Sequence, residues 1–119
     1  MVKKGVLLID DHQEFRRMLR SFIEKQLHNV EVKEAISGKD GVEVAIKERP
    51  QIVLIDVHLP LIDGIETARQ IKKCVPRCQI IAMSMFQSNG YTRDVLVFIK
   101  KEKIDSELIP ILYRLTERR

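Results

Sequence analysis

The sequence predicts an α/β fold, a doubly wound parallel sheet covered by helices on both faces as a three-layer sandwich. Three observations carry this. Short apolar runs without polar alternation recur at Val6 to Ile9, Ile52 to Ile55 and Gln79 to Met83, the pattern of strands buried on both faces. Between them, apolar residues return every three or four positions, as on amphipathic helices. The 119 residues suffice for one domain and leave no room for a second core, so residues 1–119 are expected to form one domain.

The elements follow in order. Val6-Leu7-Leu8-Ile9, bounded by Gly5 and by Asp10-Asp11, reads as the first strand. Phe15, Met18, Leu19, Phe22, Ile23 and Leu27 then stripe a helix, with Arg16, Arg17, Arg20, Glu24 and Lys25 on its other face and Asp11 at the N-cap position. A weaker strand spans Val30 to Glu34. Ser37-Gly38-Lys39-Asp40 has the form of a capping box for a helix carried by Val42, Val44, Ala45 and Ile46 and stopped by Pro50. Ile52 to Ile55 is the third strand, ending in Asp56, and Leu59-Pro60-Leu61-Ile62-Asp63-Gly64 has turn chemistry. Ile65, Ala68 and Ile71 stripe the next helix, which Pro76 ends, and Gln79 to Met83 is a strand closed by Ser84. Gln87 to Arg93 leaves room for a turn or two of helix before a strand at Val95 to Ile99. Ile104, Leu108, Ile111, Leu112 and Leu115 stripe a C-terminal helix, with Asp105 or Ser106 expected to cap it and Pro110 expected near its first turn, where proline is cheap.

Composition narrows the function classes. With 45% hydrophobic and 32% charged residues, disorder and fibrous repeats are excluded. The longest apolar runs fall far short of the roughly 20 residues of a membrane span. Met-Val-Lys-Lys-Gly leads directly into a strand rather than into a signal sequence, so a cytoplasmic location is expected, with Cys74 and Cys78 as free thiols. Lys plus Arg number 21 against 17 Asp plus Glu, a net charge of +4, which admits nucleic acid or an acidic partner without requiring either. Aromatics at 5% with no Trp give little support for a stacking platform for single-stranded nucleic acid.

In doubly wound sheets, ligands bind at the carboxyl ends of the strands. Those positions hold Asp10, Asp11, Asp56, Ser84 and either Lys100 or Lys101. Three converging carboxylates raise one another's pKa unless a cation joins them, and hard oxygen ligands in a small cleft suit Mg²⁺. A lysine and a hydroxyl at the rim suit the oxygens of a transferred phosphoryl group, and aspartate is a competent nucleophile for an acyl phosphate. Each residue also has a plain structural reading. Asp11 serves as a helix cap, Asp63-Gly64 as a turn, Ser84 as a locally bonded hydroxyl, and the Lys100 to Lys103 run as a solvated edge. Their joint occurrence at successive strand ends is what points to a site. His12, His28 and His58 are too scattered for a metal site of their own, and Cys74 and Cys78 lack the further ligands zinc needs. The first strand is followed by no Gly-rich turn for a dinucleotide. A phosphohydrolase with an aspartate nucleophile would want a second aspartate where His58 stands.

Ile9-Asp10-Asp11-His12 with Phe15-Arg16, Asp56 to Glu66 with its Asp-x-x-x-Pro-x-x-Asp-Gly core, Met83-Ser84-Met85 and Phe98-Ile99-Lys100-Lys101 together resemble the receiver domain of bacterial two-component response regulators. The likeness spans essentially the whole chain and is nearest the receivers fused to a LuxR/NarL-type helix-turn-helix domain. It implies a flavodoxin-like, five-stranded parallel sheet and a non-enzymatic phosphoacceptor charged on Asp56 by a sensor histidine kinase. It implies Mg²⁺ held by Asp10, Asp11, Asp56 and the backbone carbonyl of His58. Ser84 and Lys101 would bind phosphoryl oxygens, and Phe98 would be the switch aromatic. The family spacing selects Lys101 over Lys100, a choice the residues alone leave open.

One departure stands out. The stretch from Ser84 to Lys101 is shorter than the family pattern by roughly five residues, a little over one helical turn, and the Gly-Ala before the fifth strand is missing. A shortened fourth helix and a mobile or unusually packed segment from Gln87 to Leu96 are therefore expected. That helix, the fifth strand and the last helix form the family's usual output and homodimer face, so a non-switching interaction module is the alternative. DNA would be reached only through a domain absent from this chain. Lys100, Lys101, Lys103, Arg114, Arg118 and Arg119 concentrate positive charge near that face, which favours an acidic protein partner.

Overall fold

The computed structural model describes residues 3–85 and 92–117. Five strands form one parallel sheet: β1 (Lys4–Ile9), β2 (Val30–Ala35), β3 (Ile52–Asp56), β4 (Gln79–Ser84) and β5 (Val97–Lys100), in the order β2-β1-β3-β4-β5. The helices are α1 (Gln13–Gln26), α2 (Gly38–Glu48), α3 (Gly64–Cys74) and α4 (Ile104–Thr116), with a single 3₁₀ turn at Lys101–Lys103. The flavodoxin-like sandwich expected from the sequence is present.

The side-chain period of a strand splits the core into two layers. Val6 and Leu8 of β1 pack with Leu19 and Ile23 of α1, with Leu27 just after it, and with Ile104, Leu108 and Leu112 of α4. Leu7 and Ile9 face the other way, onto Ala45 of α2 and Ala68 and Ile71 of α3. Helices α1 and α4 therefore cover one face and α2 and α3 the other. The strand order reverses between β1 and β3, and the crevice at their carboxyl ends is where such sheets bind ligands.

Several local expectations are corrected. The residue before α1 is His12, not Asp11, and its side chain makes no capping bond, since Asp11 turns toward the cluster described below. Arg16, assigned to the solvent face of α1, is 9% exposed, whereas Met18 of the apolar stripe is 59% exposed. The helix is rotated so that Leu19 and Ile23 meet the sheet and Arg16 reaches under the end of β1. Neither Asp105 nor Ser106 caps α4, because the 3₁₀ turn feeds the chain directly into Ile104. Pro110 lies in the interior of α4 rather than near its first turn. It is tolerated on the exposed face, where the carbonyl it leaves without a donor meets water. The capping box of α2 forms as expected, with Ser37 accepting from the Asp40 N–H at 3.1 Å.

Between β4 and β5 the described residues 92–96 hold turn and extended chain without helix, and the Leu96 N–H already donates to the Ile80 carbonyl at 2.7 Å. Of the turn or two of helix expected within residues 87–93, and of the segment 87–96 expected to be mobile or unusually packed, residues 87–91 lie outside the described residues.

Candidate functional site

Four separate stretches deliver the site, each from a strand end. Asp10 follows β1, with its N–H donating to the Ala35 carbonyl of β2 at 3.2 Å. Asp56 closes β3 and Ser84 closes β4. Lys101 opens the 3₁₀ turn after β5. Asp10 and Asp56 are 1% and 2% exposed, and Ser84 is buried with them. The Lys101 ammonium donates to Asp10 Oδ2 at 3.0 Å and to Asp56 Oδ2 at 3.2 Å. Lys100, by contrast, points outward and lies 3.6 Å from Glu102. A buried carboxylate pair is costly unless charge-paired and hydrogen-bonded, and a single ammonium shared between both supplies each need.

The second oxygen of each carboxylate is also engaged. Asp56 Oδ1 accepts from the His58 N–H at 3.0 Å. Asp10 Oδ1 accepts from the His12 N–H at 2.8 Å. The turn that follows each strand thus holds that strand's carboxylate in place with its own backbone.

Asp10, Asp11, His12 and Asp56 each present one ligand atom, and these four atoms lie within 4.8 Å of one another. Three carboxylates in that volume match the oxygen-rich donor set of a hard divalent cation. His12, one of three histidines scattered in the sequence, joins the cluster, its Nδ1 3.2 Å from Asp10 Oδ1 and 3.4 Å from Asp11 Oδ1. The usable signal was its position, next to the acid pair and immediately before a helix. His28 and Cys74 lie elsewhere, and Cys78 is buried with its thiol pKa pushed up by burial.

The roles of three further residues are legible only in three dimensions. Arg16 donates from Nη1 to the Asp10 carbonyl at 2.8 Å and from Nε to Glu34 Oε1 at 2.6 Å. Arg20 adds 2.7 Å to Glu34 Oε2. Burial pushes the Glu34 carboxyl pKa up, but the hydrogen bonds from Arg20 and Arg16 outweigh it, and the net shift is downward. This chain braces the backbone beneath Asp10. Phe15, from the first turn of α1, lays its ring against the Lys101 ammonium, 4.2 Å from nitrogen to centroid.

The loop after Asp56 explains Asp63-Gly64. Asp63 caps α3, accepting from the Glu66 N–H at 2.8 Å. Gly64 sits where any Cβ would collide with the Asp56 carbonyl oxygen, so only glycine lets the helix start against the end of β3. Its N–H closes the loop on the Val57 carbonyl at 2.9 Å. Leu61, fully exposed at the tip, takes a left-handed φ of 68°. Phe98 lies on β5, half-buried against the α2/α3 layer and in register with Ala82.

Residues 6–105 match the family model of the response regulator receiver domain. The chain belongs to that family. It is 34% identical over 92 residues to the transcriptional activator protein ExaE of Pseudomonas putida, covering 77% of this chain and 43% of that protein. It is 37% identical over 81 residues to the transcriptional regulatory protein LiaR of Bacillus subtilis, covering 68% of this chain and 38% of that protein. Among solved structures, a LuxR-family two-component response regulator from Aurantimonas superposes with a TM-score of 0.84 at 26% identity, covering 98% of this chain and 88% of that one. The receiver spans about two fifths of the length of these curated relatives. No helix among its described residues is long and apolar enough to cross a membrane.

Proposed function

We propose that this receiver is a phosphoacceptor in a two-component pathway, with Asp56 taking the phosphoryl group from the phosphohistidine of a sensor histidine kinase. The observation that carries this is the buried Asp56 carboxylate at the β1/β3 crevice, paired to Lys101 at 3.2 Å and within reach of Asp10 and Asp11. An Asp56 oxygen forms the new P–O bond as the P–N bond of the donor breaks. The departing imidazole nitrogen keeps the bonding electron pair and takes a proton from solvent.

Asp10, Asp11 and Asp56 would hold Mg²⁺, with the His58 carbonyl completing the protein ligands; the carboxylate donor set fits that ion. When bound, the ion supplies positive charge to the equatorial phosphoryl oxygens. Lys101 then exchanges its Asp56 contact for a phosphoryl oxygen while keeping Asp10. The Ser84 hydroxyl donates to another phosphoryl oxygen, and Phe98 follows the movement of Ser84 to report it at the surface of β5 and α4. Output passes to a partner, to a second copy through that face, or to a DNA-binding domain outside residues 1–119, which form one receiver domain acting in the cytoplasm.

The experiment is intact-mass measurement after incubation with acetyl phosphate and Mg²⁺. One phosphoryl adduct on the wild type and none on Asp56→Asn is the expected result. The short connection from Ser84 to Val97 favours a second reading, a constitutive interaction module, and a wild type that acquires no adduct would select it.

A further inference from the structure

Lys101 has three N–H donors, and among the described residues three groups stand around its nitrogen. Two point at Asp10 and Asp56. The third side is closed by the Phe15 ring, whose centroid is 4.2 Å away, and the lysine side chain is only 9% exposed. The ring is anchored in turn, packing against the core layer of Leu19, Ile104 and Leu108. An ammonium over an aromatic face is attracted by the ring quadrupole, more strongly where water is excluded.

The choice of partner matters for an incoming phosphoryl group. A third carboxylate on Lys101 would add full negative charge beside a group that already carries it, and a hydroxyl acceptor would compete for the proton the phosphoryl oxygen needs. An aromatic face attracts the cation while adding no net charge. From this geometry we infer that Phe15 is a positioning residue for phosphoryl acceptance, holding the Lys101 ammonium at the Asp56 carboxylate through its ring face. The inference rests on Asp56 being the phosphoacceptor. As Lys101 moves from the Asp56 oxygen to a phosphoryl oxygen, the ring keeps the nitrogen inside the crevice rather than letting it swing to solvent.

The ring electronics are separable from its shape. In the full chain, Phe15 is replaced in turn by 4-fluoro-, 3,5-difluoro- and 3,4,5-trifluorophenylalanine, which drain the quadrupole while nearly preserving volume. The rate of adduct formation from acetyl phosphate at saturating Mg²⁺ is followed by intact mass, and each variant's thermal midpoint is recorded. The rate is expected to fall stepwise with each fluorine, reaching about tenfold for the trifluoro ring, with the midpoint unchanged. Phe15→Leu should fall at least as far. A flat rate across the fluorinated series overturns the positioning role and leaves the Asp56 assignment standing. No adduct on the unsubstituted protein overturns the Asp56 assignment, and this inference with it.

Discussion

The ammonium of Lys101 and the carboxylate of Asp56 meet at 3.2 Å, both buried, and the same nitrogen reaches Asp10 at 3.0 Å. One positive charge thus serves two buried negative ones, and a divalent cation at Asp10, Asp11 and Asp56 would share those carboxylates with the lysine. Stability and metal affinity are consequently linked through Lys101.

Replacing Lys101 with Met keeps the side-chain length and removes the charge. Without divalent cations the variant should lose about 3–5 kcal/mol, the cost of leaving buried charges without their partner. Millimolar Mg²⁺ should recover a larger part of its stability than it adds to the wild type, because the competing cation has gone. Urea denaturation with and without Mg²⁺ checks both; equal metal responses in the two proteins would break the linkage.

Glu34 gives the fold a pH dependence of known sign. Its folded-state pKa is lowered, with the hydrogen bonds from Arg20 and Arg16 overcoming the opposing effect of burial. Its contribution to stability is therefore present above the ordinary glutamate value of about 4.3 and fades as pH falls through the lower folded value. Glu34→Gln should be less stable than the wild type at pH 7, with the gap narrowing as pH falls below the ordinary glutamate range. Chemical denaturation across a pH series from 7 downward measures the difference.

Gly64→Ala tests the close approach at the end of β3. The added methyl meets the Asp56 carbonyl and the Val57 backbone, neither of which can rotate away, so a loss of about 1–3 kcal/mol is expected. The adduct rate at Asp56 should fall as well, since the displaced backbone carries the carboxylate.

Thiol chemistry separates the two cysteines. Cys74 is exposed, whereas Cys78 is buried with its pKa raised. Because the thiolate is the reacting species, a disulfide reagent should titrate one thiol in the native protein and both in denaturant.

The strand-end residues were legible from the sequence because each apolar run stops at a polar residue, and a parallel sheet gathers its carboxyl ends along one edge. That places Asp10, Asp56 and Ser84 with no further information. Lys101 over Lys100 was not legible from periodicity, since adjacent residues of a strand end differ only by the side-chain alternation that the 3₁₀ turn then resets. Arg16 was hidden for a different reason. A guanidinium among charged neighbours reads as solvent-facing, and only the partner carboxylate on β2 and the carbonyl of Asp10 make its burial favourable. His12 was missed because a ring adjacent to two acids was weighed with distant histidines instead of with those acids. The helix starts at α1 and α4 went astray because caps depend on where the preceding turn delivers the chain.

The central assignment, Asp56 as acceptor, is tested most directly by trapping. Borohydride reduces an acyl phosphate to the alcohol, releasing phosphate and converting the acceptor aspartate to homoserine. After phosphorylation with acetyl phosphate and Mg²⁺, reduction and peptide mass mapping should find homoserine at position 56 alone. Homoserine at position 10 or 11, or at no position in a protein that is folded and metal-loaded, would contradict the assignment.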